Sequence, residues 1–545
     1  MIGRKRYLLS LLFCLIAAVG LSSVAHASDF SEEEVQSGKV WTVKFNETPD
    51  PDFVNEDTIQ VTDEDDRSVN VTYETEGNSV KVYPPAAGYE EGARYVLTVS
   101  GVRNSDGDIL SKAAVKPFVI EETSYWSAVI DENGEISKNT RFDSFEAAAG
   151  NLSADEIIVH KNEIIKMSDG VVSTKAEGVT IVYVNESLLT HTTYVEPYTE
   201  LVYIDSTPDW IKVKAGSAEG YIKAADAVLI PESTLNERSH YVNADGELVH
   251  NIYNHASESY SSYSVGPAPS FINEGTRYLS SDGTTFTDWE GNEAGTHYQY
   301  FQFLSARSST DYTAEEIDEY IVDRLIELEE TYPNSSVYQN ASAKSKLIGI
   351  GESLKKIEQE HNVNALTILA LAQHESRYGL SARAQDYNNL FGLYVYDSNP
   401  AAKYFDSIEE NIEELIKEFF NKNYLPPNRA YANGAVFGHK AIGMNVRYAS
   451  DPYWGAKAAG HMYRIDQAMG GQEFEKYQLG ITTTAGLNVR TGPGTQFEKA
   501  FTYDKSNMPI LILDDSSYDE WLVVKSDDPE YDELYVFREY VMPLN

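Results

Sequence analysis

The apolar segment Val363 to Ala372 constrains the fold more than any other stretch of this chain. Its valine, leucine and isoleucine residues predict a helix that is buried on all sides. Gly379 lies just beyond and predicts where the helix ends. Glu375 is therefore expected near the negative C-terminal end of a buried helix. Burial and the helix dipole both disfavour an ionised carboxylate there, so Glu375 is a candidate general acid, with a solvated helix-end glutamate as the alternative.

The length and the N-terminal segment indicate the broad class of protein. A chain of 545 residues is too long for one hydrophobic core and predicts about three to five domains. Residues 1–27 combine a basic start, an apolar stretch and the small-residue site Ala25-His26-Ala27, which favours a secretory signal peptide over a membrane anchor. The single cysteine, Cys14, lies inside this segment. We expect a secreted protein without disulfides, and without a membrane span after signal removal.

The charge of the chain is strongly negative and unevenly distributed. It carries 43 basic and 85 acidic residues, a net charge of −42. Such a charge repels phosphates and excludes nucleic acid as a natural partner. Residues 341–470, by contrast, contain 14 basic and 14 acidic residues. This distribution favours a neutral segment that approaches an anionic ligand, with drift in composition as the alternative.

Three regions outside the neutral segment are predicted to be rich in β-strands. Residues 36–121 alternate at period two and resemble the Ig-like β-sandwiches of bacterial surface proteins. Residues 143–234 end in strands that resemble the last strands of a bacterial SH3-like barrel. Residues 478–545 match that barrel more clearly, because the turn Gly492-Pro493-Gly494 precedes a strand that begins with a tryptophan.

The resemblance to SH3-like barrels implies a binding site for wall peptide in the C-terminal region. The groove is expected to be lined by aromatic side chains, namely Trp521, Tyr503, Tyr518 and Tyr535. A place for these side chains in the core of the barrel is the alternative, since a fold alone does not establish ligand binding.

Residues 241–470 are predicted to carry the chemistry. They open with a Tyr/Ser/Gly-rich stretch, 241–306, whose composition excludes a helix bundle. This stretch is either a lobe that covers the substrate or a packed lead-in. Thr313 and Glu316 have the spacing of a capping box at the start of a helix. Two helices are predicted next: Leu347 to His361 and Val363 to His374.

Two loops downstream of Glu375 are rich in groups that bind sugars. Asn388 and Asn389 precede Leu390, Phe391 and Gly392, and their side-chain amides can bond hydroxyl and N-acetyl groups. The loop 443–455 concentrates amide and aromatic side chains between glycine and proline residues. Its candidate substrate contacts are Asn445, Tyr448, Tyr453 and Trp454. Packing is the alternative for each of these residues taken alone.

The order of three motifs resembles glycoside hydrolase family 73, the β-N-acetylglucosaminidases that cut peptidoglycan. The motifs are Glu375-Ser-x-x-Gly-x-Ser, Asn388-Asn-Leu-Phe-Gly and Tyr448-Ala-x-Asp-Pro-x-Tyr. The resemblance covers residues 241–466. It implies an α-helical, lysozyme-like catalytic domain within a multidomain chain whose flanking modules are all-β.

The same resemblance assigns roles and a substrate. It implies that Glu375 is the general acid, that Tyr448 belongs to the active-site cleft, and that Asn388 and Asn389 supply amides to the cleft. The expected substrate is the β-1,4 bond that follows N-acetylglucosamine in the glycan strands of peptidoglycan. Stem peptides are a possible further contact, and no cofactor is expected.

The sequence leaves the second catalytic carboxylate open. Glycosidases usually need two carboxyl groups, about 5 Å apart for retention and about 6.5–9.5 Å apart for inversion of configuration. Glu409 and Asp406 are the candidates for the base, because their segment can return across a cleft. Ser407 and Glu410 have the spacing of a capping box, which explains Glu410 structurally. Assistance by the N-acetyl group of the substrate is the third alternative.

Other classes of site find little support in the sequence. The histidines lack the paired spacing of metal ligands, and no serine nucleophile motif stands out. Two rival functions stay open: a muramidase or lytic transglycosylase that acts on the same glycan, and a wall-binding protein without activity. A transglycosylase needs only one acid, so the open question of the second carboxylate bears directly on that rival.

Overall fold

The computed structural model describes residues 28–29, 31–110, 112–131, 133–395 and 403–545. The predicted signal segment 1–27, with its cysteine, lies outside the described residues. No helix in these ranges is long and apolar enough to cross a bilayer. The chain divides into two compact units: the first contains the residues up to Ile130 and Glu135–Ile165, and the second contains Asp131–Gly134 and Lys166–Asn545.

The first unit begins with two sheets that share one core. Its strands are β1 (Ser28–Asp29), β2 (Glu33–Val35), β3 (Trp41–Lys44), β4 (Ile59–Asp63), β5 (Thr72–Glu76), β6 (Ser79–Tyr83), β7 (Arg94–Val99) and β8 (Ala114–Ile120). One sheet has the order β1-β8-β7-β4, with β2 also paired to β8, and the other has the order β3-β6-β5. The ring centroids of Trp41 and Phe118, one from each sheet, lie 5.0 Å apart. The region is a β-sandwich, as the period-two alternation predicts.

A smaller sheet completes the first unit. Its elements are β9 (Tyr125–Ile130), β10 (Ile136–Phe142), α1 (Phe145–Gly150), β11 (Ile157–His160) and β12 (Glu163–Lys166). The strand order is β10-β9-β11-β12. The β-rich region expected over 143–234 therefore contains parts of two separate sheets, and the second of these begins at Gly170.

The second unit opens with two further sheets. The first has seven strands: β13 (Gly170–Thr174), β14 (Thr180–Tyr183), β15 (His191–Val195), β16 (Glu200–Ser206), β17 (Trp210–Ala215), β18 (Ala218–Lys223) and β19 (Ala227–Pro231). A three-stranded sheet and a strand pair follow: β20 (His240–Ala244), β21 (Glu247–Asn254), β22 (Ser259–Pro267), β23 (Thr285–Thr287) and β24 (Glu293–Thr296). The stretch 241–306 is thus mostly sheet.

The helical part of the second unit follows. Its elements are α2 (Tyr300–Phe303), α3 (Ala314–Thr331), α4 (Ala341–Lys344), α5 (Gly351–His361), α6 (Ala365–Ser376), α7 (Ala382–Tyr387), α8 (Ile408–Glu414), a π-helix (Leu415–Tyr424), a 3-10 helix (Met444–Val446) and α9 (Trp454–Ala468). The capping box predicted for α3 is present: the Thr313 hydroxyl accepts from the Glu316 N–H, and the Glu316 carboxylate accepts from the Thr313 N–H. Residues Ala365 to Gln373 of α6 are all buried, as their composition predicts.

Two predicted helix boundaries differ from the structure. The helix expected from Leu347 begins only at Gly351, because Gly349 has a left-handed φ of +76° that a right-handed helix excludes. The helix that the capping box at Ser407 predicts begins at Ile408, but it changes at Leu415 into a π-helix. A π-helix has a wider turn, and short π segments are frequent near functional sites.

The chain ends in a second seven-stranded sheet that repeats the topology of the first. Its strands are β25 (Gln478–Thr482), β26 (Leu487–Arg490), β27 (Lys499–Tyr503), β28 (Pro509–Asp514), β29 (Trp521–Lys525), β30 (Glu533–Phe537) and β31 (Val541–Pro543). The orders are β15-β14-β18-β17-β16-β13-β19 and β27-β26-β30-β29-β28-β25-β31, so each strand has a counterpart in the same place. Leu479, Ile481 and Leu511 of the last sheet belong to the same buried cluster as the helices.

The three-stranded sheet packs directly against α9. Arg464 of α9 donates from Nη1 to the carbonyl oxygen of Ser264 in β22, at 3.3 Å. Gly460 makes this approach possible, because a Cβ added there would lie 2.2 Å from the same oxygen. The sheet therefore supports the helix whose first residue is Trp454.

The alanine substitution Gly460→Ala is expected to destabilise the second unit by about 1–3 kcal/mol, because a Cβ cannot rotate away from the Ser264 carbonyl. Gly150→Ala is the matched control, since Gly150 also lies in a helix and has no atom within 4 Å of an added Cβ. The control should keep or raise stability, because alanine favours helix. The measurement is the denaturant midpoint of helix loss by circular dichroism. Equal midpoints for Gly460→Ala and the parent would contradict the packing described for α9.

Candidate active site

Glu375 is the second-last residue of α6, after a run of buried residues from Ala365 to Gln373. Asn364 caps the other end, where its side chain accepts two backbone N–H groups. After Glu375 the backbone turns sharply, because Arg377 and Gly379 have φ values of +51° and +74°. Gly379 is needed in this turn, since a Cβ would lie 2.8 Å from the hydroxyl oxygen of Ser345. The helix therefore ends at the edge of the core, with Glu375 partly exposed.

Trp454 holds the carboxyl group of Glu375. Its indole Nε1 donates to Glu375 Oε1 at 2.7 Å, and the Trp454 side chain is buried. The ring of Tyr448 stacks on the indole, with centroids 4.5 Å apart and planes 28° from parallel. Gly455 lets α9 start here, since a Cβ would lie 2.1 Å from the carbonyl oxygen of Gly438. Three candidate site residues are thus linked, because Trp454 contacts both Glu375 and Tyr448.

Burial raises the pKa of Glu375 above its ordinary value. The hydrogen bond from Trp454 opposes this rise, because it stabilises the charged carboxylate. The negative charge of Asp451 raises the pKa further, and the positive charge of Arg383 lowers it. The net direction is the one predicted from the sequence. Burial and then the charge of Glu375 raise the pKa of Tyr448, so its hydroxyl stays protonated.

Asp451 is a carboxylate that acts on Glu375 and that the sequence analysis quoted only as a motif letter. Its Oδ1 accepts the backbone N–H of Tyr453 at 2.8 Å, and its Oδ2 accepts Nζ of Lys457 at 2.6 Å. Both oxygens are therefore engaged at the start of α9. The sequence does contain a pattern that could have indicated this role: Asp451 precedes a proline, and Lys457 follows six residues later.

Glu409 and Asp406, the candidates for the base, lie at the exposed start of α8. Glu409 Oε1 accepts from the Ser353 hydroxyl of α5 at 3.4 Å. Hydrogen bonds from its own backbone N–H and from Ser407 lower the pKa of Glu409, so it is ionised at neutral pH. The Ser407 hydroxyl caps α8 by accepting the Glu410 N–H, as predicted, but the Glu410 carboxylate accepts from Asp406 N rather than Ser407 N.

The amides of the Asn-Asn motif hold their own loop. Asn388 is half-buried and has a left-handed φ of +50°, and its Nδ2 donates to the carbonyl oxygen of Phe405 at 3.0 Å. The side chain of Asn389 bonds both the N–H and the carbonyl group of Leu393, at 2.9 Å each. Asn389 and Phe391 are 1% and 4% exposed. The structure thus places the side chains of Asn389 and Phe391 in the interior and leaves part of Asn388 at the surface.

Asn445 and Lys440 brace the loop that carries Tyr448. Asn445 is fully buried, and its Nδ2 donates to the carbonyl oxygen of Pro452 at 2.9 Å. The buried Nζ of Lys440 donates to the carbonyl oxygens of Asn445 and Ala449. Burial lowers the pKa of Lys440 to about 7. Asn445 therefore shapes the loop from inside, and Lys440 is a buried cation that the sequence analysis did not identify.

Two other predicted contacts lie elsewhere. The ring of Tyr453 packs edge-on against His250 of β21, with centroids 4.5 Å apart. Trp521 lines a separate cavity of about 720 Å³ in the last sheet, together with Phe537 and Tyr540. The expected companions Tyr503, Tyr518 and Tyr535 do not line this cavity. Tyr503 points into the core because of strand alternation, and its hydroxyl donates to a buried aspartate, Asp527, at 2.7 Å.

The histidine next to the acid, His374, is neutral at physiological pH. Burial lowers its pKa to about 4, and its ring lies 5.7 Å from that of His461. Within the described ranges, no group of three or more His, Cys, Asp or Glu side chains is arranged to hold a metal ion.

Comparison with known proteins bears on this segment. Residues 351–467 match the glucosaminidase family, described as mannosyl-glycoprotein endo-beta-N-acetylglucosaminidase. Two curated proteins from strains of Streptococcus pneumoniae, both named endo-beta-N-acetylglucosaminidase as a provisional assignment, are 31% identical to this chain over 265 residues. These matches cover 48% of this chain and 35% and 33% of the relatives, so the chain spans about a third of their length.

Among solved structures, S. aureus autolysin E is similar at 17% identity over 31% of this chain and 72% of that chain, with a TM-score of 0.22. The structure of a major bifunctional autolysin is similar at 18% identity over 31% of this chain and 68% of that chain, with a TM-score of 0.21. The segment that matches the glucosaminidase family contains Glu375, Tyr448 and Trp454. This chain therefore contains, at residues 351–467, a glycoside hydrolase domain of the glucosaminidase family, glycoside hydrolase family 73.

Proposed function

We propose that this protein hydrolyses peptidoglycan at the β-1,4 bond that follows N-acetylglucosamine, as a secreted, wall-associated N-acetylglucosaminidase of the autolysin type. The observation that carries the proposal is the environment of the Glu375 carboxyl group. This group is partly exposed, has a raised pKa and is held by Trp454 within the glucosaminidase segment. Such a group can be protonated near neutral pH and donate its proton to the leaving glycosidic oxygen.

The neighbours of Glu375 have distinct proposed roles. Trp454 orients the carboxyl group through one hydrogen bond, which leaves the second oxygen for the substrate. Tyr448 presents a protonated hydroxyl to the cleft. Asn388 is the amide with partial exposure, so we assign it the direct sugar contact. Asn389 and Asn445 act from the interior, by holding the loops that carry these contacts.

The second group of the reaction is Glu409, Asp406 or the N-acetyl group of the substrate. Glu409 is ionised and exposed, as a base or nucleophile must be. Asp451 is unsuited to this role, because both of its oxygens already bind the start of α9. We propose instead that Asp451 is a positioning residue whose charge adds to the rise that burial causes in the pKa of Glu375. The alternative function is that of a lytic transglycosylase. That reaction needs one acid and no second carboxylate, so Glu375 with its raised pKa is compatible with it.

The β modules are proposed to attach the enzyme to the wall. The two seven-stranded sheets share one strand order, which fits a pair of SH3-like barrels. The β-sandwich of the first unit fits an Ig-like spacer. The cavity of about 720 Å³ beside Trp521 is the proposed groove for wall peptide, with Phe537 and Tyr540 in place of the three tyrosines expected from the sequence.

The substitution Glu375→Gln should lower the release of reducing ends from purified peptidoglycan by roughly 10²–10⁴-fold, because it removes the proton donor and keeps the shape. Glu418→Gln is the control, since Glu418 is an exposed partner of Lys422 in the same domain. Mass spectrometry of the parent digest should find N-acetylglucosamine at the reducing ends. Anhydro-muropeptides would instead identify a transglycosylase, and reducing-end muramic acid a muramidase. Activity of Glu375→Gln within about tenfold of the parent would reject Glu375 as the acid.

Glu409→Gln and Asp406→Asn distinguish the candidates for the second group. If Glu409 acts on the substrate, its amide variant should lose activity roughly 10²-fold or more while Asp406→Asn stays active. The measurement is the same reducing-end assay, with folding checked by circular dichroism. Full activity of both variants would favour assistance by the substrate, or the single-acid rival.

The pKa of Glu375 should move in opposite directions in two variants. Trp454→Phe removes a hydrogen bond that stabilises the carboxylate and keeps a ring against Tyr448, so it should raise the pKa. Asp451→Asn removes a negative charge and should lower the pKa. The measurement is a carbon-13 NMR titration of labelled glutamate side chains, with the Glu375 signal assigned through Glu375→Gln. Shifts of the same sign in both variants would refute this account of the site.

A further inference from the structure

A cavity of about 630 Å³ lies where three folded parts of the second unit meet. Its wall includes His191 from the first seven-stranded sheet and Arg429 from the loop after the π-helix. It also includes Lys440 and Arg447 from the loop that carries Tyr448, and Lys505 from the last sheet. The cavity is therefore formed only when both seven-stranded sheets are packed on the glucosaminidase domain.

Specific contacts hold these parts together around the cavity. The Tyr194 hydroxyl donates to the carbonyl oxygen of Arg447 at 3.1 Å, and Arg447 Nη2 donates to the carbonyl oxygen of His191 at 3.0 Å. On the other side, Lys505 Nζ donates to Oδ1 of Asn433 at 2.8 Å. Each of these bonds joins one of the sheets to the helical domain, so the wall is a built feature of the fold.

The cavity gathers positive charge in a chain whose net charge is −42. Four of the side chains in its wall are basic: Arg429, Lys440, Arg447 and Lys505. In the described part of the chain, the side-chain hydrogen bonds of Lys440, Arg447 and Lys505 go to neutral carbonyl or amide oxygens. The charges of Arg447 and Lys505 are therefore left for an anion, whereas Lys440, with a pKa of about 7, also lies in the field of Asp451 and Glu196.

Two acidic residues also line the cavity. Asp504 is exposed beside Lys505 and offsets part of the charge. Asp527 is buried, and burial raises the pKa of its carboxyl group to about 6, with the Tyr503 hydroxyl donating to it at 2.7 Å. Four basic groups thus face one exposed carboxylate and one shielded carboxylate.

We propose that this cavity binds the carboxylates of the peptide stem attached to the glycan strand that is being cleaved. The inference rests on the proposed function, since it names a second part of the same substrate. Arg447 directly precedes Tyr448, whose ring stacks on the tryptophan that holds Glu375. The cavity wall and the neighbours of the acid thus share one loop, as the binding of a stem joined to the glycan requires.

The rest of the wall fits the same ligand. Val184, Leu425 and Met508 add apolar surface between the basic groups. A peptide stem combines short aliphatic side chains with free carboxylates, so it offers both kinds of contact. A glycan chain without its stem has neither an apolar side chain nor the several carboxylates that four basic groups would bind.

The test measures binding to the full chain carrying Glu375→Gln, which prevents cleavage. Isothermal titration calorimetry uses a disaccharide-tetrapeptide with free carboxylates as the probe. Adding Arg429→Gln and Lys505→Gln should raise its Kd at least about tenfold, the size expected for lost charge-assisted contacts. Both side chains are exposed, and a glutamine amide in place of Lys505 can still donate to Asn433, so the packing of the last sheet should be kept; circular dichroism checks this. The matched control adds Lys422→Gln and Lys499→Gln instead. These two substitutions change the net charge by the same amount, in the same helix-loop segment and the same sheet, but outside the cavity wall. The control should leave the Kd of the disaccharide-tetrapeptide within about twofold.

Two further probes make the result decisive. The same disaccharide without its peptide should bind equally to the Glu375→Gln chain, to that chain with Arg429→Gln and Lys505→Gln, and to the control. Equal Kd values of the disaccharide-tetrapeptide for the two double variants would overturn the inference. The inference would also be overturned if the binding of a glycerol phosphate oligomer depended on Arg429 and Lys505 and the binding of the disaccharide-tetrapeptide did not. The cavity would then be a site for a phosphate polymer.

The outcome is separable from that of the proposed function. If the parent chain fails to digest peptidoglycan but still binds the tetrapeptide through Arg429 and Lys505, the proposed activity fails and the anion site stands. If the parent digests peptidoglycan and the Kd of the disaccharide-tetrapeptide does not depend on Arg429 and Lys505, the activity stands and the stem site is rejected.

Discussion

The burial of α6 on every side is the constraint on which the rest of the second unit depends. A helix without a polar face must be enclosed, and its unpaired terminal backbone groups must still find partners. Asn364 provides them at the start of the helix, and the left-handed turn at Arg377 at its end. Because the interior of α6 is closed, an ionisable side chain can reach solvent only where the helix stops. Glu375 lies at that place, so the position of the acid follows from the packing of its helix.

The geometry of the acid depends on a second helix. Trp454, 79 positions away along the chain, must lie within hydrogen-bond distance of Glu375. Two glycines of α9 allow this, Gly455 against Gly438 and Gly460 against Ser264. The second contact ties α9 to the sheet formed by β20, β21 and β22. The Tyr/Ser/Gly-rich stretch therefore contributes to the site through the helix that it supports.

The two seven-stranded sheets also form part of the structure of the helical domain, in addition to their proposed role in attaching the enzyme to the wall. Tyr194 of the first sheet bonds the loop that carries Tyr448, and residues of the last sheet enter the helical core. Between them they enclose a cavity with four basic side chains. In a chain of net charge −42, self-repulsion favours placing acidic groups outward, toward solvent and salt. The cluster of basic side chains around this cavity is therefore a local departure that a ligand of opposite charge explains.

Features that depend on neighbours along the chain can be predicted from the sequence alone. These are the alternating strands of the sandwich, the caps of α3 and α8, the buried character of α6, and the place of Glu375 with the direction of its pKa. Periodicity, capping and burial are local properties, and a local pattern specifies them. Only the tertiary structure decided that Asp451, and not Glu409 or Asp406, is the carboxylate whose charge acts on Glu375. It also decided that Asn389 and Asn445 face inward and that Lys440 and Arg447 meet Arg429 and Lys505 around one cavity. The physical reason is that these relations join segments far apart in the chain, and their energies arise from close packing and desolvation, which appear only when those segments are brought together.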